Sequence, residues 1–461
     1  MAQIIDQIVK ISIQDAISSV TTVDVNTVAL VGRIGEGVAR SLEVTPALAG
    51  DATGAEGGGS VSVTIGEDTF SVNTTENETV AAIVAALVSA INAAGTGSDT
   101  YTATNGSSKV TLAANAAGYD DTAVSVASTD ANVTVSVKET VAGVGTSEAF
   151  ETASADRVKE LCGADSELYA MAATFFAQDS QPSRVVCIPL ENGAANASAL
   201  NAVKTAAASF DFYHVVVASN DAAFAKSLLA DSASGFQAWL ADVKKVAHVQ
   251  VSDATDLKNH GCDRVAVYQH AETQGTGREF LNVAIVALRC ASDSARGTFA
   301  HKKCKGVTPD SYTVDQYNAW IDGGVNIYVK VSGEARLFMG TTSSNENFID
   351  QVVKDDWIRF NVQSRIYKLL GEGNDGNGVN YDDAGIGAVA ASVLNVLTVA
   401  QDTDHQYVMT DSASVDYKPY SYLVENYAED VRKRNLPLIT GRYARMNSIH
   451  TVVQVSLYVT L

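Results

Sequence analysis

Positive charge is scarce in this sequence: 32 Lys and Arg stand against 53 Asp and Glu, a net charge of −21. Affinity for a phosphate backbone comes from clustered Lys and Arg, so this balance argues against nucleic acid as a partner. Long apolar runs are also missing. No stretch reaches the ~20 residues of a membrane span, and Met1 to Gln14 lacks the basic segment and continuous apolar stretch of a signal peptide. The expectation is a protein made and kept in a cytoplasm, with no membrane insertion. Cysteine is sparse and odd in number: Cys162, Cys187, Cys262, Cys290 and Cys304 are widely spaced, in or beside apolar segments such as Arg184-Val-Val-Cys-Ile-Pro-Leu190. They read as small buried hydrophobes and not as a disulfide framework. G-x-S-x-G, H-E-x-x-H and Walker sequences are absent. Nothing argues for an enzyme, and no catalytic, cofactor-binding or metal-ligating residue is assigned.

Three segments come near a functional motif and fall short. Val28-Ala-Leu-Val-Gly-Arg-Ile-Gly-Glu-Gly37 is a strand running into a Gly-rich turn, but its order is G-x-x-G-x-G, and no helix follows to hold a phosphate. Cys290, His301 and Cys304, with His260, Cys262 and His270, match no zinc ribbon or finger spacing. Gly371-Glu-Gly-Asn-Asp-Gly-Asn-Gly-Val-Asn-Tyr-Asp-Asp383 lacks the spacing and terminal Glu of a calcium loop. It reads as a flexible loop in which Asp382 or Asp383 caps the next helix.

A 46% hydrophobic and 18% charged composition over 461 residues is that of a soluble globular chain of two to four domains. Between about Pro46 and Gly145 the composition shifts. The stretch lacks Cys, Trp, Met and His, is dominated by Ala, Val, Thr, Ser and Gly, and sets Lys109 and Lys138 against eleven acidic residues. Gly50 to Gly59 and Val141 to Gly145 read as linkers around an inserted domain. Inside it, Val61 to Ile65 and Phe70 to Val72 form an expected hairpin. A helix follows with Val80, Val84, Leu87, Val88 and Ile91 on one face, and four further short strands lie at 101–104, 109–113, 123–126 and 133–137.

The remainder alternates helix and strand. Helices are expected near 166–178, 197–209, 221–245, 279–291, 314–321 and 347–370, with strands at 184–188, 212–218, 246–251, 264–268 and 325–331. That order predicts an α/β (α+β) multidomain fold with a largely buried sheet. A final region adds an apolar helix at 386–399, a strand near 406–410 and an amphipathic helix at 421–434 stopped by Pro437. The expected units are an arm at 1–20, a core at 21–45 and 146–345, the insert at 46–145, a C-terminal domain at 346–448 and an arm at 449–461.

Both ends alternate apolar and polar residues. Val9, Ile11 and Ile13 fall on one face at one end, and Val453, Val455, Leu457 and Val459 at the other. Such strands either close the protein's own sheet or are lent to another chain, since a free edge carries unpaired N–H and C=O groups. A basic island, Arg432, Lys433, Arg434, Arg442 and Arg445, precedes the second. Cations in the last turn of a helix offset its dipole, and Glu429 lies four before Lys433. The same island also suits a contact with the acidic face of another subunit or an inner partner.

In this order along the chain, several segments resemble a known family. They are Asn26-Thr-Val-Ala-Leu-Val-Gly32, Phe175-Phe-Ala-Gln-Asp-Ser-Gln-Pro-Ser-Arg-Val-Val-Cys-Ile188, Val325-Asn-Ile-Tyr-Val329, Asp355-Asp-Trp-Ile358, Asn380-Tyr-Asp-Asp-Ala-Gly-Ile386 and Ile449-His-Thr-Val-Val-Gln-Val455. Together they resemble the contractile tail sheath proteins of phages, in the divergent myovirus-type group, over about Val9 to Val44 and Phe150 to Leu461. The insert is similar to a Thr/Ala/Val-rich module of tail proteins. Asn380, where the family has proline, and Met446-Asn-Ser448, where it has a small-residue pair, are departures that bear on local turns. The resemblance implies a sheath core with strand-forming arms and no cofactor. It implies hexameric rings of the chain stacked around a tail tube protein, with baseplate and tail terminator proteins as partners, in the virion tail. A donated strand of about six ladder bonds, each worth a net ~1 kcal/mol, would hold such rings together. The alternatives are a surface-layer or adhesin-like protein, which would need a secretion signal before Ile4, and a nucleotide-dependent α/β enzyme, which would need a phosphate loop.

Overall fold

Six segments are mostly apolar, valine-rich runs, the pattern of strands covered on both faces. They are Val28–Arg33, Val185–Leu190, His214–Ala218, Val246–Val251, Val265–Gln269 and Val325–Val331. In the computed structural model, which describes residues 24–93, 100–191, 196–218, 235–271, 273–274, 277–376 and 378–450, these six pair in parallel. The sheet runs Phe150–Thr152, Val185–Leu190, Val28–Arg33, His214–Ala218, Val246–Val251, Val265–Gln269, Val325–Val331, Glu334–Phe338. Its two outermost strands are antiparallel to their neighbours.

Consecutive residues alternate between two apolar layers. Val28, Leu30, Val185, Cys187 and Val216 face the helices Ala155–Cys162, Glu167–Phe176 and Leu281–Cys290. Ala29, Val31, Val186, Ile188, Val215 and Val217 face Asn196–Ser209 and Phe236–Val243. Leu281–Cys290 is buried almost throughout, because its other side, Leu281, Ala284 and Ile285, packs into a third layer with the helices Ile349–Gly376 and Asp383–Val399. Two buried ion pairs serve this third layer. Arg264 holds Asp356 through two nitrogens at 2.6 and 2.8 Å, with Tyr213 donating its hydroxyl to the same carboxylate at 2.6 Å. Lys354 meets Asp350 at 2.6 Å. The fold is thus α/β and multidomain.

The insert has a core of its own. Tyr101–Asn105, Val110–Ala114, Ser41–Leu48 and Val133–Val141 make one sheet, and Asp68–Asn73, Ser60–Ile65 and Val124–Ser128 a second. Helix Val80–Ala93 seals them with Ile83, Val84, Leu87 and Ile91. Ser41–Leu48 pairs along its length with Val133–Val141, so residue 46 falls inside a strand. The chain enters and leaves at the bridge between Val38 and Val144. There Gly145, at φ +119, would bring a Cβ to 3.3 Å from the Gly37 backbone, and loop residue Tyr119 bonds the Gly145 carbonyl at 2.7 Å. Three segments cross in close contact at this neck, in place of the flexible linker expected at Val141 to Gly145. The other expected linker, Gly50 to Gly59, lies inside the insert, with Gly57 packed on Glu76 and Gly59 on Asp130.

Other elements differ from the sequence reading. Gly371 to Gly376 continue the helix begun at Ile349 instead of forming a loop, while Asp382 caps the next helix by accepting the Gly385 amide at 2.8 Å. The helix expected at 421–434 is two, Tyr420–Asn426 and Ala428–Arg432, broken at Tyr427 where φ is −136°. Val408 forms a single bridge to Arg445 in place of a strand at 406–410. Of the helix expected at 221–245, Phe236–Val243 is described and residues 221–234 lie outside the described residues.

Candidate assembly surface

Val9, Ile11, Ile13, Val453, Val455, Leu457 and Val459 lie outside the described residues. What is described is where the body hands over to those segments and what lies beside them. After the N-terminal segment, Val25 is buried against the third layer. Ser294 donates its hydroxyl to the Val25 carbonyl at 2.9 Å and its amide to Asn26 Oδ1 at 2.7 Å. Before the C-terminal segment, the Met446 amide bonds the Tyr407 carbonyl at 2.8 Å, and the buried Lys354 ammonium donates to the Met446 carbonyl at 2.8 Å. The His450 ring stands edge-on to Phe348 at 4.4 Å, and His301 Nε2 lies 3.2 Å from the His450 carbonyl. Burial lowers the His450 pKa, partly countered by Asp350.

Shortly before the C-terminal root in the chain, Ser414–Asp416 and Thr440–Arg442 form a small sheet of two three-residue strands. One face rests on helix Asp383–Val399: a Cβ on Gly441 would sit 3.3 Å from Val393 and 3.6 Å from Leu397. Among the described residues no further backbone bond reaches either strand. Two strands alone are marginal in water. Around them Tyr417, Tyr420, Tyr422, Val424, Leu438 and Met446 are exposed, and Ile449 is 82% exposed.

The five basic residues divide by environment. Arg445 is half-buried. Burial works against its charge, but Asp355, 3.0 Å from Nε and also receiving the Tyr443 hydroxyl at 2.8 Å, more than offsets this and raises its pKa. Arg432 and Lys433 share one exposed carboxylate, Glu429, at 2.8 and 3.9 Å. Arg442 meets exposed Asp416 at 3.4 Å. Arg434, at φ +59, ends the helical turn and makes no ion pair among the described residues. Arg445 is therefore an internal tie, and the excess charge rests on Arg432, Lys433, Arg434 and Arg442.

The near-motifs have structural explanations. A Cβ on Gly32 would lie 2.8 Å from Met171 Sδ, so that glycine lets a helix close on its strand, and the Arg33 amide is taken by the Glu167 carboxylate at 3.0 Å. All five cysteines are buried and unpaired. Burial pushes the Cys162 thiol up to about 12. His270 lies between Asp310 at 3.0 Å and Glu279 at 3.3 Å. Among the described residues no group of three or more His, Cys, Asp or Glu could hold a metal ion, and no helix is long and apolar enough to cross a membrane.

Sequence reasoning missed both anchors of the terminal segments. Ser294 and Val25 are 269 positions apart, and no local pattern signals such a contact.

The chain is similar to solved structures of contractile sheaths. With a chain of the anti-feeding prophage helical sheath in its contracted state it shares 12% identity, over 69% of this chain and 91% of that one, at a TM-score of 0.49. With a chain of the anti-feeding prophage baseplate in its contracted state it shares 15% identity, over 69% and 92%, at 0.47. With a sheath tail protein of Listeria innocua the values are 12%, 87%, 90% and 0.44. No family model and no curated protein sequence matches the chain.

Proposed function

We propose that this chain is the structural subunit of a contractile tail sheath. It polymerises around a tail tube and shortens to drive that tube through a cell envelope, the energy being held in a metastable lattice of subunit contacts. The observation that carries the reading is the small two-stranded sheet a few residues before the C-terminal segment, whose strands receive no further backbone bond among the described residues. The alternating pattern of Val453 to Val459 and of Val9 to Ile13 suits strand addition to such a sheet, where main-chain bonds supply the affinity. The resemblance of the sequence to sheath proteins supplies the geometry: arms of one copy complete the sheet of another, and rigid α/β bodies turn about them. Two arms per subunit multiply the hold through effective concentration. The tube protein, baseplate and terminator proteins are the proposed partners, the virion tail the proposed location, and the outer surface the proposed place of the insert.

A chain ending at His450 tests this, since His450 still packs on the body. It should stay folded by circular dichroism and sediment as a monomer under conditions where the full chain gives tubes or rings in negative-stain micrographs. Intact tubes, or an unfolded product, would sink the strand-exchange reading.

A further inference from the structure

We propose that Asp293, Ser294 and Tyr407 couple the anchors of the two terminal segments, so that a load on one segment is felt where the other is fastened. The inference rests on the reading of those segments as exchanged arms; the contacts themselves do not.

Ser294 is fully buried and holds two successive residues of the N-terminal root, Val25 through its hydroxyl and Asn26 through its amide. Its neighbour Asp293 points the other way. The Asp293 carboxylate accepts the Tyr407 hydroxyl at 2.6 Å on one oxygen, and on the other the amides of Ala295 and Arg296 at 3.0 and 3.3 Å. Its backbone carbonyl is taken by the buried guanidinium of Arg289. With its carboxylate held by two amides of its own turn and its carbonyl by Arg289, Asp293 transmits a displacement of Tyr407 to its neighbour Ser294. Tyr407 in turn is seated edge-on against Trp357, ring centroids 4.9 Å apart, and its carbonyl receives the Met446 amide of the C-terminal root. Burial, and then the bond to Asp293, raise the Tyr407 pKa, so it stays a donor to that carboxylate.

From Val25 to Met446 the path is therefore Ser294, Asp293 and Tyr407, with a hydrogen bond or a peptide bond at every step. Hydrogen bonds to charged acceptors are the stronger kind, and a low local dielectric reinforces them. In a lattice joined by arms, this path passes tension from one connection to the next across one face of the body, without opening the parallel sheet.

Coupling between two sites is reciprocal. The test uses the full-length chain below its assembly concentration, with hydrogen exchange read by mass spectrometry or NMR. Tyr407→Phe keeps the ring on Trp357 and removes one bond. It should speed exchange of the Asn26 and Thr27 amides by about fivefold or more, within the usual range of coupling factors. Ser294→Ala should speed exchange of the Met446 amide by a similar factor. Should Tyr407→Phe fail to fold, Ser294→Ala read at Met446 decides alone. Changes confined to each variant's own root would overturn the proposal. These measurements need no assembly, so their failure leaves strand exchange standing. Conversely, undisturbed tubes from a chain ending at His450 would remove strand exchange and leave the coupling to be judged on exchange rates.

Discussion

The insert and the region from Leu394 to Ile449 are finished to different degrees. Of the exposed large hydrophobic side chains among the described residues, ten lie between Leu394 and Ile449, against Val141 alone in the insert. The insert closes sixteen buried apolar residues between two sheets and a helix. The region from Leu394 to Ile449 has three-residue strands and five- and seven-residue helices, and among the described residues its two strands bond only each other. A unit that buries its own apolar surface gains nothing further from a neighbour, whereas one that leaves apolar surface and ladder groups bare is stabilised when another chain covers them. On the proposed sheath reading, that is the difference between a decoration and a joint.

The sharpest way to break that contrast is to damage each region and watch the other property. Leu87 is fully buried in the insert core, and Leu87→Ala should destabilise the insert by about 2–5 kcal/mol, the usual cost of such a cavity. It should appear as an early, separate calorimetric transition, with tube formation unimpaired. Removing residues 39–143 and joining Val38 to Val144, which already bridge, should likewise leave a folded chain that assembles. Lost assembly in a folded deletion protein would mean the insert is part of the joint.

Acid tests the body that both regions share. His214 and His248 are fully buried, their ring nitrogens 2.9 Å apart, with His248 also 3.0 Å from the Tyr268 hydroxyl. Burial lowers both, His214 to about 3 and His248 well below the ordinary value. Below pH 6.5 the unfolded chain takes up protons that the folded one refuses, so stability falls as pH falls from 6.5 toward 3. The slope is about 1.4 kcal/mol per pH unit for each histidine that stays neutral. Urea unfolding at pH 7, 6 and 5 should show it, and His248→Gln should flatten it. A pH-independent midpoint would mean the pair charges in place.

How much of this was legible in the sequence depended on how local the signal was. Val246–Val251, Val325–Val331 and Val314–Ile321 stand where their periodicity places them, and Asp382 caps its helix as its position suggests. Ser41–Leu48 was hidden by Pro46, whose missing N–H is tolerated because the ladder to Val110–Ala114 stops at Val44. Phe150–Thr152 is too short to show alternation, and helix Ala155–Cys162 buries only Val158, Leu161 and Cys162. The ties that hold the site are less visible still. Arg264 and Asp356 are 92 positions apart, and an ion pair of that span leaves no periodic trace.

The smallest expected effects sit on the basic island, where the structure sharpens what the sequence left open. Arg445 is bound to Asp355 in a half-buried setting, so Arg445→Glu would place two carboxylates together. It should lower stability by about 1–3 kcal/mol, as loss of a hydrogen bond to a charged group does. Arg434 and Arg442 are exposed, and exposed pairs contribute ~0–1 kcal/mol, so Arg434→Glu with Arg442→Glu should leave the melting temperature within about a degree or two. If these two face a partner, the same double variant should still slow assembly, and added salt should narrow its difference from the unmodified chain, because such contacts are screened beyond ~8 Å at physiological ionic strength. Light scattering of assembly at 50 and 300 mM salt reads both outcomes. Equal assembly at low salt would assign the island to helix ends and internal ties alone.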